Sequence, residues 1–229
     1  MIFKNILKKL NIKEDESNKV GLLIIQSIFI GIFLSFYNNF SSTLFLSTEN
    51  LGFAKLPEAY IYSGILGFIF SYIFSEFQKK FNPSKLLQYF FLVIILLFIS
   101  IKIGLNVFED KPEYKMYLIY FSFIIFVPIS VLTGVGFGSI SLKMFDLRQG
   151  KRLFSIITTG EVISSLIAYS LISFLQNKFV NENDDTSFLL YFVISGALLA
   201  FVFQSYLGKK YADILKNKIS LDTNIKSKI

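Results

Sequence analysis

Six long apolar stretches, separated by short polar segments, dominate this sequence. Each can cross the roughly 30 Å hydrocarbon core of a bilayer, which takes about 20 helical residues. Since 53% of the 229 residues are hydrophobic, the chain has more apolar surface than a soluble domain of this size buries. The sequence therefore predicts an all-α membrane protein with six transmembrane helices, at residues 20–46, 58–77, 86–106, 116–142, 153–175 and 187–207.

The distribution of lysine and arginine predicts the orientation. With the amino terminus inside, 18 of the 23 basic residues fall in inner segments and four in outer loops, so both ends are predicted to be cytoplasmic. The first residues alternate lysines with apolar residues and lack the cleavage site of a signal peptide. The predicted organisation is a cytoplasmic amphipathic interfacial segment at 1–19, a six-helix bundle at 20–207 and a basic cytoplasmic tail at 208–229.

Composition argues against several classes of function. The chain has neither Cys nor His, which removes thiolate and imidazole metal ligands and the usual proton shuttle. The sequence also shows no serine–base pair and no paired acids on one helix face, so no enzyme, catalytic residue, metal or cofactor is predicted. The net charge of +7 is spread in short runs between spans, which indicates a lipid bilayer as partner and no nucleic acid.

Small residues recur every four positions in four of the spans. In lipid such residues let helix backbones approach closely. The first, second, fourth and fifth spans are therefore predicted to pack against one another, whereas the third and sixth, which are larger and more apolar, are predicted to face lipid. The predicted packing glycines are Gly31, Gly67, Gly134, Gly138 and Gly160.

A lone acid, Glu161, lies near the middle of the fifth span. At 100° per residue it shares one helix face with Thr158, Ser165 and Tyr169, and we call these four residues the polar stripe. A charge at mid-membrane costs about 2.5–3.5 kcal/mol. The stripe is therefore predicted either to line a water-filled cavity or to hold a protonated carboxyl bonded to a neighbouring helix. The predicted cavity residues are Glu161, Thr158, Ser165, Tyr169, Asn38 and Asn39.

The only two arginines of the chain lie just before the fifth span. Arginine offers a planar fork that can hold two acceptor groups at once, which a lysine cannot do, and Asp146 is the expected partner. One interpretation is a gating loop, and the other is a set of charges that only fixes the topology. The predicted gating residues are Asp146, Arg148, Lys151 and Arg152.

Three segments carry a resemblance to a known family. They are FDLRQGKRLFSIITTGEVISSLIAYSLISFL, KKLNIKEDESNKVGLLIIQSIFIGIFLSFY and LFLSTENLGFAKLPEAYIYSGILGFIFSYIF. The first resembles the loop and fifth helix of the ATP/ADP-translocase-like, nucleotide transporter-like branch of the major facilitator superfamily. The second resembles that group's amphipathic entry with its first span, and the third resembles its first outer loop and second span.

The resemblance implies a major-facilitator-like half bundle, in which the first, second, fourth and fifth helices line a central cavity. It also implies half of a membrane transporter that moves a small polar or anionic solute, nucleotide-like solutes included, by alternating access. The expected partner is a second six-helix unit, either a homodimer mate or a separate chain, in the bacterial cytoplasmic (inner) membrane. The segment FYNNFSST lacks the charges that ATP/ADP exchangers carry in the first span. The alternative is a non-transporting subunit that anchors or braces a membrane complex.

Overall fold

The computed structural model describes residues 12–48, 51–179 and 188–215. Within them, six spans are long and apolar enough to cross a membrane, which confirms the predicted all-α, multi-pass membrane class. The predictions for 1–11 and 216–229 lie outside the described residues. The helices are α1 (Glu14–Ser47), α2 (Gly52–Lys80), α3 (Pro83–Val107), α4 (Pro112–Ile124), α5 (Phe126–Met144), α6 (Leu147–Phe179) and α7 (Leu189–Lys210), with α4 and α5 forming one span.

Several helices begin where the sequence supplies a start signal. Asn82 accepts a hydrogen bond from the Ser84 N–H (3.0 Å) and Pro83 occupies the first turn of α3, where a missing N–H costs nothing. At the start of α1, the Glu16 carboxylate accepts from the Lys13 N–H (3.2 Å). Because α1 begins at Glu14, its first residues are continuous with the first span, although the sequence placed them in a separate interfacial segment.

The fourth span is interrupted at Ile125, between α4 and α5. Pro128 lacks the N–H that would bond the Ile124 carbonyl four residues earlier. The Ser63 hydroxyl of α2 donates to that carbonyl instead (2.7 Å), and the Tyr37 hydroxyl of α1 donates to the Ser122 carbonyl (2.6 Å). Freed backbone groups in a membrane need partners of this kind, so the break is held by the two neighbouring helices.

The helix contacts show which way each span runs. Ser27 and Asn38 of α1 contact Ile157 and Tyr169 of α6 in rising order, so these two helices are parallel. α7 is antiparallel to α1, because Gln26 bonds the Ala200 carbonyl whereas Gly196 lies against Phe33. The amino-terminal end of α1 and the carboxy-terminal end of α7 therefore lie on the same side of the bundle.

The structure corrects the prediction that the third and sixth spans face lipid and the other four pack together. α3 packs along α7, and α7 packs along α1, whereas α2 and α6 are the least buried of the six spans. Large side chains of α3 repeat with a spacing of three and four residues and fill the bundle, while its opposite face stays exposed. The buried stripe of α3 is Leu87, Phe91, Ile94, Phe98, Ile101 and Leu105.

Candidate functional site

The contact between α1 and α6 depends on two glycines. A Cβ placed on Gly160 would lie 2.1 Å from the Ser27 Oγ and 2.7 Å from the Ile24 carbonyl oxygen. A Cβ on Gly31 would lie 2.1 Å from the Ser164 Oγ and 2.6 Å from the Glu161 carbonyl oxygen. Neither position has room for a side chain, so the two helix backbones approach as closely as the small-residue pattern predicts.

The other predicted packing glycines are placed differently. Gly67 and Gly138 face ordinary neighbours, with added Cβ atoms 3.5 Å from Val127 and 3.8 Å from Phe154. Gly134 was predicted to lie in a helix contact but is exposed, and its added Cβ would meet no described atom within 4 Å. The tight position on α5 is Gly136, where an added Cβ would lie 2.8 Å from Leu87 of α3. Of the two predicted glycines on this helix, Gly138 is buried and Gly134 is not.

The polar stripe lies along the boundary between the buried and exposed faces of α6. Thr158, Glu161 and Ser165 are half-buried, and Tyr169 is exposed. Beyond the stripe, α6 carries exposed apolar side chains such as Val162 and Leu166. The stripe therefore borders the α1 contact on one side and faces outward from the six-helix unit on the other.

Residues of α1 extend this polar surface. The Asn38 amide donates to the Tyr169 hydroxyl (2.9 Å), and the Ser42 hydroxyl donates to the Asn38 side-chain oxygen (3.3 Å). Asn39 is half-buried on the same helix. The structure thus brings Asn38 together with the carboxy-terminal end of the stripe.

Glu161 is the notable member of the stripe, because its carboxylate has no partner among the residues that the structure describes. No charged residue occurs in α1 from 20 to 47 or in α5 from 126 to 142, and α6 has none but Glu161 from 153 to 177. Arg152 lies nine residues away, roughly 13 Å along the helix. The hydrogen-bonded alternative for this carboxyl therefore finds no support within the described part of the chain.

The membrane lysines are engaged elsewhere. Lys102 of α3 lies over the Tyr191 ring of α7, 5.2 Å from its centroid, on another side of the bundle. Lys143 is half-buried in the last turn of α5, at the end of the bundle where α6 begins. Neither lysine reaches the depth of the stripe.

Glu16 of α1 forms an ion pair with α6 that the sequence did not predict. Arg152 bonds Glu16 of α1 (2.5 Å), whose side chain is only 3% exposed. The predicted partner was Asp146, which is exposed and contributes its backbone to the start of α6. The contact spans 136 residues. Only the shared position of both residues at the amino-terminal ends of two parallel helices could have indicated it.

The remaining residues of the predicted gating loop are exposed. Arg148 and Lys151 lie on the first turns of α6, and both side chains are exposed, unlike the Glu16–Arg152 pair. Within that pair, Glu16 Oε1 and Arg152 Nε are buried without a hydrogen-bond partner. The arginine therefore holds the carboxylate at one point and does not use its two-pronged geometry.

Two cavities of the described chain lie away from the polar stripe. One of about 430 Å³ lies at the turn between α2 and α3, lined by Phe77, Phe81 and Lys85 among others. Another of about 340 Å³ lies between α2 and α4, beside Lys55, Glu58 and Tyr120. The stripe itself is half-buried to exposed in the single unit, so a second unit that covered it would turn it into a cavity wall.

The fold and this surface define an integral, multi-pass α-helical membrane protein, in which the carboxylate of one half-buried acid on α6 has no partner among the residues described. No family model matches the chain, and neither the curated proteins nor the solved structures contain a match to it.

Proposed function

We propose that this chain is one half of a membrane transporter, which carries a small polar solute across the membrane by rocking against a second six-helix unit. The polar stripe, Asn38 and Asn39 form its half of the pathway. The resemblance of three segments to the nucleotide transporter-like branch of the major facilitator superfamily supports the same class. The amino-terminal end of α1 and the carboxy-terminal end of α7 lie at one end of the bundle, and the lysine distribution supports a cytoplasmic location for that end.

One observation carries the proposal: Glu161 is half-buried, unpaired among the described residues and set among hydroxyl-bearing side chains at mid-span. Ionisable groups inside membranes are costly and usually mark substrate or ion pathways. A helix that served only as an anchor would gain stability from an apolar residue at this position.

A second unit is needed to complete the pathway. The stripe opens outward from a bundle whose α2 and α6 are the least buried spans. Exposed apolar residues flank it on α6, as expected of a surface that docks against another membrane helix. A homodimer mate or a separate six-helix chain would fulfil this role.

The Glu16–Arg152 pair supports a rigid half. Both partners belong to the same unit, so the pair fastens the inner ends of α1 and α6 to each other and does not bridge two halves. Gating by the basic loop stays a prediction, in which the exposed Arg148 and Lys151 contact the partner unit.

Native mass spectrometry of the purified protein in nanodiscs gives its mass and so tests whether a second six-helix unit is bound. Uptake into proteoliposomes from a defined mixture of amino acids, nucleotides, organic acids and amines, read by mass spectrometry of the vesicle contents, then tests transport. We expect a complex of two six-helix units and uptake that Glu161→Gln removes but Glu76→Gln retains, since Glu76 pairs with Lys79 at the surface.

If the chain is instead a subunit that braces a membrane complex, the same experiments give a different result. A single copy bound to a larger unrelated assembly, with no uptake by any reconstituted form, would contradict the transporter. In that case the Glu161→Gln variant would assemble as the parent does.

A further inference from the structure

The side-chain oxygens next to Glu161 can only accept further hydrogen bonds, because their hydrogens are already donated. Thr158 donates its hydroxyl hydrogen to the carbonyls of Phe154 (3.2 Å) and Ser155 (3.1 Å), and Ser165 donates to the Glu161 carbonyl (2.7 Å). A hydroxyl has one hydrogen and two lone pairs, so these groups can now only accept. An ionised carboxylate is also an acceptor only. A ligand that enters here meets lone pairs and a negative charge.

The spacing of Thr158 and Glu161 suits one small ligand. Thr158 precedes Glu161 by three residues, so the two are neighbours on the helix surface, with Cβ atoms about 5–6 Å apart, and side chains on a helix tilt toward its amino terminus, which brings the Glu161 carboxylate toward Thr158. Ser165 lies about 10 Å from Thr158 along the helix axis, too far for both hydroxyls to bind the same ion. Hard cations are bound by oxygen ligands of this kind, namely carboxylates and neutral oxygens. The donors of the surface, Asn38 and Tyr169, lie about two turns farther out, where they bond each other.

The elements packed against α6 bring no positive charge to this depth. On α1 the charged residues are Glu14, Asp15, Glu16 and Lys19, all in its first two turns, and on α5 the charged residue is Lys143 in its last turn. Arg152 is occupied by Glu16. An anionic solute would therefore face Glu161 without any cation supplied by this unit.

We infer that the polar stripe binds a small cation, with the Glu161 carboxylate supplying the charge and the Thr158 hydroxyl supplying a neutral oxygen. The inference rests on the proposed function, because the stripe must face water for a cation to reach it. It deepens that function by giving the charge of the species that is carried or coupled: an alkali metal ion, or the ammonium group of a solute.

The experiment is a thermal unfolding titration of the full chain in nanodiscs, in a mildly alkaline buffer at constant ionic strength. Sodium, potassium and methylammonium chlorides replace N-methyl-D-glucamine chloride, a bulky cation that serves as the background. A ligand that binds only the folded state raises the unfolding midpoint with the logarithm of its concentration. A response to sodium or potassium identifies a metal ion, and a response to methylammonium identifies an ammonium group.

We expect one of these probes to raise the midpoint by several degrees. The rise should disappear in Glu161→Gln, persist in Glu161→Asp and in the surface control Glu76→Gln, and need about tenfold more cation in Thr158→Val. No rise with any probe in the parent, or a rise that Glu161→Gln retains, would overturn the inference.

The two proposals fail separately, because the titration needs neither transport nor a known solute. If the protein responds to a cation but remains a single unit and takes up nothing, the transporter proposal is contradicted and the cation site stands. If the protein shows uptake that Glu161→Gln abolishes but no cation response, the transporter proposal stands and the cation site does not. Glu161 would then hydrogen-bond a neutral solute directly.

Discussion

Two glutamates at different depths of the same helix pair show how position decides what a carboxylate does. Glu16 is almost fully buried at the amino-terminal end of α1, where the Arg152 guanidinium and the Lys13 N–H both bond it. Glu161 is half-buried at mid-span, and its carboxylate bonds no described residue. The first carboxylate stabilises the fold through a charge partner, whereas the second remains available to a ligand.

The first prediction at this scale concerns Arg152. Arg152→Ala leaves the buried Glu16 carboxylate without its charge partner, and removing one member of a buried pair is strongly destabilising. Because Arg152 is 28% exposed, we expect a loss of about 2 kcal/mol in the free energy of unfolding, measured by denaturant titration in mixed micelles.

The matched control is Arg148→Ala, since Arg148 is the other arginine and is exposed. It should change stability by less than about 0.5 kcal/mol. The double variant Arg152→Ala with Glu16→Gln should recover part of the loss, because it removes the orphaned charge. Equal effects of the two arginine variants would contradict the pair's structural role.

At this scale the sequence predicted the depth of Glu161 and the shared face of the polar stripe, because both follow from helical periodicity. It did not predict the Glu16–Arg152 pair. Local sequence suggested Asp146 as the partner, but the bond depends on α1 and α6 lying side by side, and that contact is set by packing across 136 residues.

At the scale of helices, the α1–α6 contact predicts opposite effects for two glycines that look alike in the sequence. Gly160→Ala forces a methyl group to within 2.7 Å of the Ile24 carbonyl, so the backbones must separate, at a cost of about 1–3 kcal/mol. Gly134→Ala meets no described neighbour and should leave the stability unchanged or raise it by up to about 1 kcal/mol. Unfolding titrations of both variants check this, and similar losses in both would contradict the packing described.

The break between α4 and α5 gives a third prediction. Ser63→Ala removes the hydroxyl that bonds the Ile124 carbonyl released by Pro128, and it leaves that carbonyl unpaired inside the membrane. We expect a loss of about 1 kcal/mol. Ser100→Ala is the control, because the Ser100 hydroxyl is exposed and bonds only its own helix. A loss in Ser100→Ala as large as that in Ser63→Ala would contradict the role of Ser63.

For the whole molecule, hydropathy and length predicted the six spans and the membrane class, since lipid permits few alternatives to a helix. The order of helix packing was not predictable in the same way. α3 is apolar on all sides, so its sequence does not say which face is buried. The contacts with α7 and α5, together with the α1 rings of Phe33 and Tyr37, select the stripe that includes Phe91 and Phe98.

The last prediction tests whether the face of α6 meets water in the assembled protein. The chain contains no cysteine, so a single introduced thiol reports its own surroundings. In the proposed transporter the stripe lines a water-filled pathway, so Ser165→Cys should react with a charged, membrane-impermeant methanethiosulfonate, whose target, the thiolate, forms only in water. Leu96→Cys on the exposed face of α3 lies at a similar depth, since Ser84 contacts Gln204 and Lys102 contacts Tyr191 on either side of it. It should stay unmodified because that face contacts lipid. If both thiols resist the reagent, α6 is covered by lipid or by a dry protein interface, and the transporter would give way to the bracing subunit.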